Sequence, residues 1–144
     1  MNRTAVMRAA LWETAFWNVI GSLSFIFPES LGQIFGLPAP APHLYTWFIA
    51  FIIDLFAVTY AWLARQPEID RPLVVVAALG KTGLFAIVFA CWLLEELPGR
   101  GAALASVDLA FAVIFFWWLS GERSASSAVP QRFQQSSRST VARM

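Results

Sequence analysis

Cysteine and histidine each occur once in the 144 residues, as Cys91 and His43. A lone cysteine excludes an intrachain disulfide framework. A lone histidine leaves no His-based triad and no His/Cys zinc cluster, so no metal site is expected. Charge is scarce as well. The 10 basic and 9 acidic side chains are 13% of the chain and give a formal net charge of +1, where a soluble domain is roughly a quarter charged. This balance excludes a disordered chain, a nucleic-acid binder and an ordinary cytosolic enzyme, and it supplies no global field. What the chain has instead is apolar surface: 58% hydrophobic residues and a mean hydropathy of +0.63. One small integral membrane domain is the class that fits.

Four stretches are long enough to cross a hydrocarbon core, which takes about 20 apolar residues. They are Ala5–Phe27, Leu44–Ala64, Leu73–Glu95 and Ala102–Ser120. Backbone polar groups in lipid must be satisfied within the segment, so each run is expected to be a helix. Barrel strands are shorter and alternate, and these runs do neither. Pro28, the Gln66-Pro67 and Arg71-Pro72 pairs, and Leu97-Pro98-Gly99 punctuate the breaks. The fold expected is all-α, an integral membrane four-helix up-down bundle.

The arginines set its orientation. Arg3 and Arg8 open the first span, Arg65 and Arg71 flank the second loop, and Arg123, Arg132, Arg138 and Arg143 follow the fourth span. The first loop has no basic residue and the third has Arg100 alone. The positive-inside rule then makes both termini cytoplasmic, as an even number of spans requires. Trp62, Trp117 and Trp118 mark the inner boundary, and Tyr45, Trp47 and Trp92 the outer one. Glu13 interrupts the first run and no small-x-small site follows it, so a retained helix is expected rather than a cleaved signal peptide. Between the first two spans, Leu31, Ile34, Phe35 and Leu37 have near-helical spacing, stopped by Gly36 and Pro38. That pattern predicts a short amphipathic turn, then a stiff proline strut to Pro42. The polar, basic segment Gly121–Met144 cannot bury a core and is expected to be disordered, its arginines available to anionic lipid.

Each span contains one charge near its middle: Glu13, Asp54, Lys81 and Asp108. At about 1.5 Å rise per residue they lie roughly 12, 15, 12 and 18 Å from the cytoplasmic end of their helices, in one central band. Four such charges facing lipid would cost on the order of 10–14 kcal/mol. They are therefore expected to meet in the interior as a buried ionic cluster, with Lys81 the one base for three acids, titrating as a group. Helical spacing gives Asp54 a small-residue stripe of Ala50, Ala57 and Ala61. It also makes Trp17, Asn18, Phe85, Trp92 and Phe115 candidates to line a cavity, with Thr82 able to extend the network. Ordinary close packing around ion pairs would leave the same pattern.

Other motifs fail on inspection. Gly80-Lys81-Thr82 copies the end of a phosphate-binding loop, but Val75 stands where the first glycine is needed and the surroundings read as a membrane helix. No nucleotide is expected. Gly32 and Gly36 form a GxxxG in a loop, where it says nothing of helix dimerisation. Cys91 reads as a small apolar residue and His43 as outer polar surface.

Phe35-Gly36-Leu37-Pro38, Arg71-Pro72-Leu73, Leu79-Gly80-Lys81 and Asp108-Leu109-x-Phe111-Ala112 together resemble a widespread group of small bacterial four-span membrane proteins of unassigned function. The likeness covers roughly residues 8–120. It implies architecture and a bacterial inner membrane and carries no chemistry or cofactor; the polar tail departs from the group's compact ending. Three functions fit. The first is a non-catalytic accessory subunit or apolar-ligand-binding bundle, with other membrane subunits or a small apolar molecule as partner. The second is a homodimeric proton-coupled transporter, since Glu13 resembles the essential acid of the small multidrug exporters. That reading lacks an inverted repeat. The third is an intramembrane lipid-modifying enzyme using Asp54 or Glu13 with Lys81, for which no nucleophile or metal set is present.

Overall fold

The computed structural model describes residues 2–37 and 42–126, with side chains to residue 121. The described chain is all-helical: α1 Arg3–Ile26, a π turn at Pro28–Gly32, α2 Gln33–Phe35, α3 His43–Arg65, α4 Arg71–Leu93 and α5 Gly99–Ser126. Among the described residues there is no strand. The proline strut and the tail beyond residue 126 lie outside the described residues, although α5 continues past Gly121 into what reads as tail.

Local signals account for the boundaries. The Asn2 side chain accepts a hydrogen bond from the Thr4 amide at 3.0 Å and caps α1. Asp70 does the same for α4 from the Leu73 amide at 3.1 Å, with Pro72 in the first turn, where a missing N–H costs nothing. Gly36 takes φ +76° to end α2, a left-handed position that favours glycine. The end of α3 is closed from a distance. Arg8 donates through Nη1 to the Ala64 carbonyl at 2.7 Å and through Nη2 to Gln66 and Pro67 at 2.6 and 2.9 Å. A cation thus meets the carbonyls that α3 leaves unpaired.

Three helices are long and apolar enough to cross a membrane: α3, α4 and Gly99–Gly121 of α5. α1 is as long, but it carries Arg3, Arg8 and Glu13 and is less apolar. Its polarity has a direction. Thr14, Asn18, Ser22 and Ser24 are buried, while Trp12, Phe16 and Val19 are exposed.

α1 packs along α3 and α4 along α5, with a lesser contact between α1 and α5 joining the pairs. Arg8 near the start of α1 reaches the end of α3, and Arg71 at the start of α4 donates to the Leu119 carbonyl of α5 at 2.9 Å. Each pair is therefore antiparallel. Ala50 and Ala57 are buried on α3, and such small residues allow close backbone approach. The apolar core occupies the half of the molecule nearest the start of α1. It comprises Met7 and Leu11 of α1, Tyr60 and Leu63 of α3, Val74 and Ala78 of α4, and Phe111, Phe115 and Trp118 of α5.

Candidate functional site

Lys81 and Asp108 lie near the middle of α4 and α5, and both are buried, at 4% and 6% exposure. The Lys81 ammonium donates to Asp108 Oδ1 at 2.5 Å and to Asn18 Oδ1 at 2.6 Å. Asn18, on α1, donates through Nδ2 to the Ile53 carbonyl of α3 at 3.4 Å. All four long helices are thus tied at one level. The rings of Tyr60 and Phe111 stand 5.8 and 6.0 Å from Lys81 Nζ, within cation–π reach.

The expected cluster of four charges is corrected to a pair. Glu13 is exposed on α1 and Asp54 is half-buried on α3, and among the described residues neither has a hydrogen bond or ion pair. The reason lies in the register of α1. Its buried stripe runs through Met7, Ala10, Leu11, Thr14, Asn18 and Ser22, and Glu13 is about 100° around the helix from Thr14. Lys81 finds its partners in Asp108 and the neutral amide of Asn18.

Beyond the pair, away from the core, a cavity of about 390 Å³ opens between the helix pairs. Lys81, Asp108, Asn18 and Tyr60 lie at its inner end. Its walls are apolar: Trp17 and Phe25 of α1, Ile52 and Phe56 of α3, Leu84 and Val88 of α4, and Leu104 of α5. Phe35–Leu37 and Leu97 line its far end. There Gly36 lies so close to the start of α5 that an added Cβ would meet Pro98 Cγ at 2.8 Å. The cavity is open along one side. α3 and α4 share no extended contact, and the walls Ile49, Ile52 and Leu84 are also 38–43% exposed.

Of the expected cavity residues, Trp17 and Asn18 line the cavity and Phe85, Trp92 and Phe115 do not. Phe115 is fully buried in the core on the other side of the ion pair. Phe85 stacks on Phe89 at 5.6 Å and Phe89 meets Trp92 at 5.4 Å along α4. No residue of α4 after Lys81 is buried, so the stripe expected to continue inward from Lys81 comes to the surface. Sequence reasoning also missed Tyr60; four glycines, Gly21, Gly36, Gly80 and Gly101, belong to the wall as well. For Tyr60 a signal existed: with Thr59 it puts two hydroxyls into the otherwise apolar run from Leu55 to Ala64.

Among the described residues no group of three or more His, Cys, Asp or Glu side chains could hold a metal ion. No family model, curated protein or solved structure matches the chain.

Proposed function

We propose that the chain is a four-span protein of the bacterial inner membrane, an up-down bundle with both termini cytoplasmic, whose work is to hold an apolar molecule taken from the bilayer. The observation that carries this reading is the apolar cavity, open between α3 and α4 and closed by the buried Lys81–Asp108 pair. Its volume falls in the range of small-molecule sites, and a largely apolar wall with a few convergent polar groups is their usual form. Membrane placement is supported by the outward faces, which carry Phe16, Phe51, Ile87 and Val113 exposed. On α1, exposed apolar and buried polar side chains invert the pattern of a water-soluble helix, which supports it as the fourth span.

Orientation is supported by the basic girdle. Arg3 lies over Trp117, Arg65 over Trp12 and Arg71 over Trp118, at 4.7, 5.1 and 5.8 Å. Cation–aromatic pairs of this kind suit an interface. The reading is non-catalytic: the wall is apolar apart from the polar groups that converge at its inner end.

The test is chemical. Protein purified gently from its native membrane and extracted with organic solvent should release a stoichiometric apolar compound, identified by mass spectrometry. Recovery of bulk phospholipid alone overturns the reading.

A second reading, as an accessory subunit or homodimer, is favoured by Glu13. A carboxylate near the middle of a span and facing outward costs about 2.5–3.5 kcal/mol by insertion scales, and a partner helix would relieve that cost. Glu13→Gln should then weaken co-purification with the partner, or the dimer, while leaving the monomer folded. Unchanged association on a sizing column rejects it.

A further inference from the structure

The polar end of the cavity restricts what can bind there. Lys81 has three N–H donors, and two are committed to Asp108 and Asn18. Tyr60 is 3% exposed and lines the same cavity, and its hydroxyl has no hydrogen-bond partner among the described residues. The third Lys81 N–H and the Tyr60 hydroxyl are therefore the donors offered to the cavity, and an occupant that fills the space without an acceptor would leave them unpaired in an apolar site, which is costly. Charge narrows the choice. Lys81 is already balanced by Asp108 at 2.5 Å, so an anionic head would leave the buried site with an uncompensated negative charge, and a cationic head a positive one. The head must be neutral and must accept. A carbonyl oxygen offers two lone pairs and brings no hydrogen of its own needing a partner.

Depth and shape add to this. Lys81 and Asp108 lie near the middle of helices long enough to span, a level that the charged headgroups of phospholipids do not occupy. The side opening between α3 and α4 gives an apolar tail a way out into lipid. Two of the four wall glycines also leave the space free. Gly21 and Gly80 interrupt helices at a cost in helix stability, yet a Cβ on either would meet no atom within 4 Å, so close packing does not explain them.

We propose that the cavity takes a neutral membrane-dissolved lipid with a carbonyl head, a ketone or quinone. Its oxygen accepts from Lys81 Nζ and the Tyr60 hydroxyl, and its tail leaves between α3 and α4. This rests on reading the cavity as a ligand site, and the experiment separates the two claims.

The full chain in an ester-free detergent is titrated with four probes of one chain length: 2-undecanone, 2-undecanol, undecanoate and undecane. Binding is followed by calorimetry, and the carbonyl stretch of the ¹³C-labelled ketone by infrared difference spectroscopy. The ketone is expected to bind saturably at one site, tighter than the other three, with its carbonyl band moved to lower frequency. Tyr60→Phe should weaken it about three- to tenfold, the worth of one neutral hydrogen bond, and reverse part of the band shift. Gly80→Leu, which puts a side chain into the cavity, should weaken binding at least tenfold. Gly83→Leu is the matched control on the same helix, since Gly83 also has open space around it and does not line the cavity; it should bind as the native chain does.

Undecane binding as tightly as the ketone overturns the head assignment and leaves the apolar site standing. The alcohol binding more tightly overturns it too, because the head would then be donating to Asp108. Undecanoate binding best refutes the charge argument. No saturable binding of any probe, or equal losses in Gly80→Leu and Gly83→Leu, refutes both the head and the site.

Discussion

The Lys81–Asp108 pair offers the sharpest energetic test. Lys81→Met removes the ammonium from a carboxylate that is 6% exposed and from the Asn18 oxygen at 2.6 Å. Breaking a buried pair from one side costs about 3–5 kcal/mol, because the remaining charge is left uncompensated. Asp108→Leu, which strands the ammonium, should cost a similar amount. The two costs share a cause, so they must not add. In Lys81→Met/Asp108→Leu both ions are gone and apolar side chains of similar bulk meet. Replacements of that kind are neutral or stabilising by about 1–4 kcal/mol relative to the buried pair. Asn18 still loses its donor, at roughly 1–3 kcal/mol. The double variant should therefore lie within about 3 kcal/mol of the native chain, and the coupling energy of the cycle should be about 3 kcal/mol or more. Reversible unfolding in mixed micelles, read by far-ultraviolet circular dichroism, measures all four corners. Single variants within about 1 kcal/mol of native would mean that the pair behaves as an exposed one. Additive losses would mean that the two charges do not depend on each other, and either result refutes the account of the site.

Substitutions at two other positions test contacts away from the ion pair. Arg8→Met should lower stability by about 2–3 kcal/mol, since a charged donor is lost from three carbonyls at the end of α3. Arg8→Lys should restore only part of that, because an ammonium cannot fork to several acceptors as a guanidinium does. The reading fails if methionine is tolerated in the same unfolding assay. Gly36→Ala should cost about 1–2 kcal/mol for the left-handed backbone alone, and more because its Cβ would meet Pro98 Cγ at 2.8 Å. Protease cleavage between α2 and α3 should accelerate in this variant, and an unchanged cleavage rate refutes the locking role of the turn.

Helix positions were legible because long apolar runs favour helices and proline and glycine punctuate the breaks. Pro28 ends α1, Gln66-Pro67 falls between α3 and α4, and Pro98 directly precedes α5; α1, α3 and α4 start and stop within two residues of the expected bounds, while α5 runs on to Ser126. The short helical turn ending at Gly36 was legible from the near-helical spacing of Leu31, Ile34 and Phe35. The facing of α1 was not. Glu13 drew attention as a charge in an apolar run, but the inward face is marked by the weaker polarity of Thr14, Asn18 and Ser22. On α1, whose outward face is largely apolar, neutral hydrogen-bonding side chains at i, i+4 and i+8 report the interior better than one carboxylate does. The reach of Arg8 to carbonyls 56 to 59 residues away leaves no local pattern, and positive-inside counting used that arginine for orientation alone.

The cavity was hidden for a different reason. A filled core and an empty one draw on the same alphabet, and helical spacing assigns a residue to a stripe without saying whether a neighbour reaches it. Val74, Ala77, Ala78 and Lys81 form a stripe that is buried, while Phe85 and Trp92 continue it and are not. The change comes at Lys81, where the interior passes from packed core to open cavity. An ion pair there holds α4 to α5, and Asn18 holds both to α1 and α3. Cross-links at that level keep the closed half together while the other half stays apart, with the cost of the buried charges offset by the hydrogen bonds they make. The pair is therefore placed both to fix the spacing of the helices and to form the polar end of the cavity that this spacing creates.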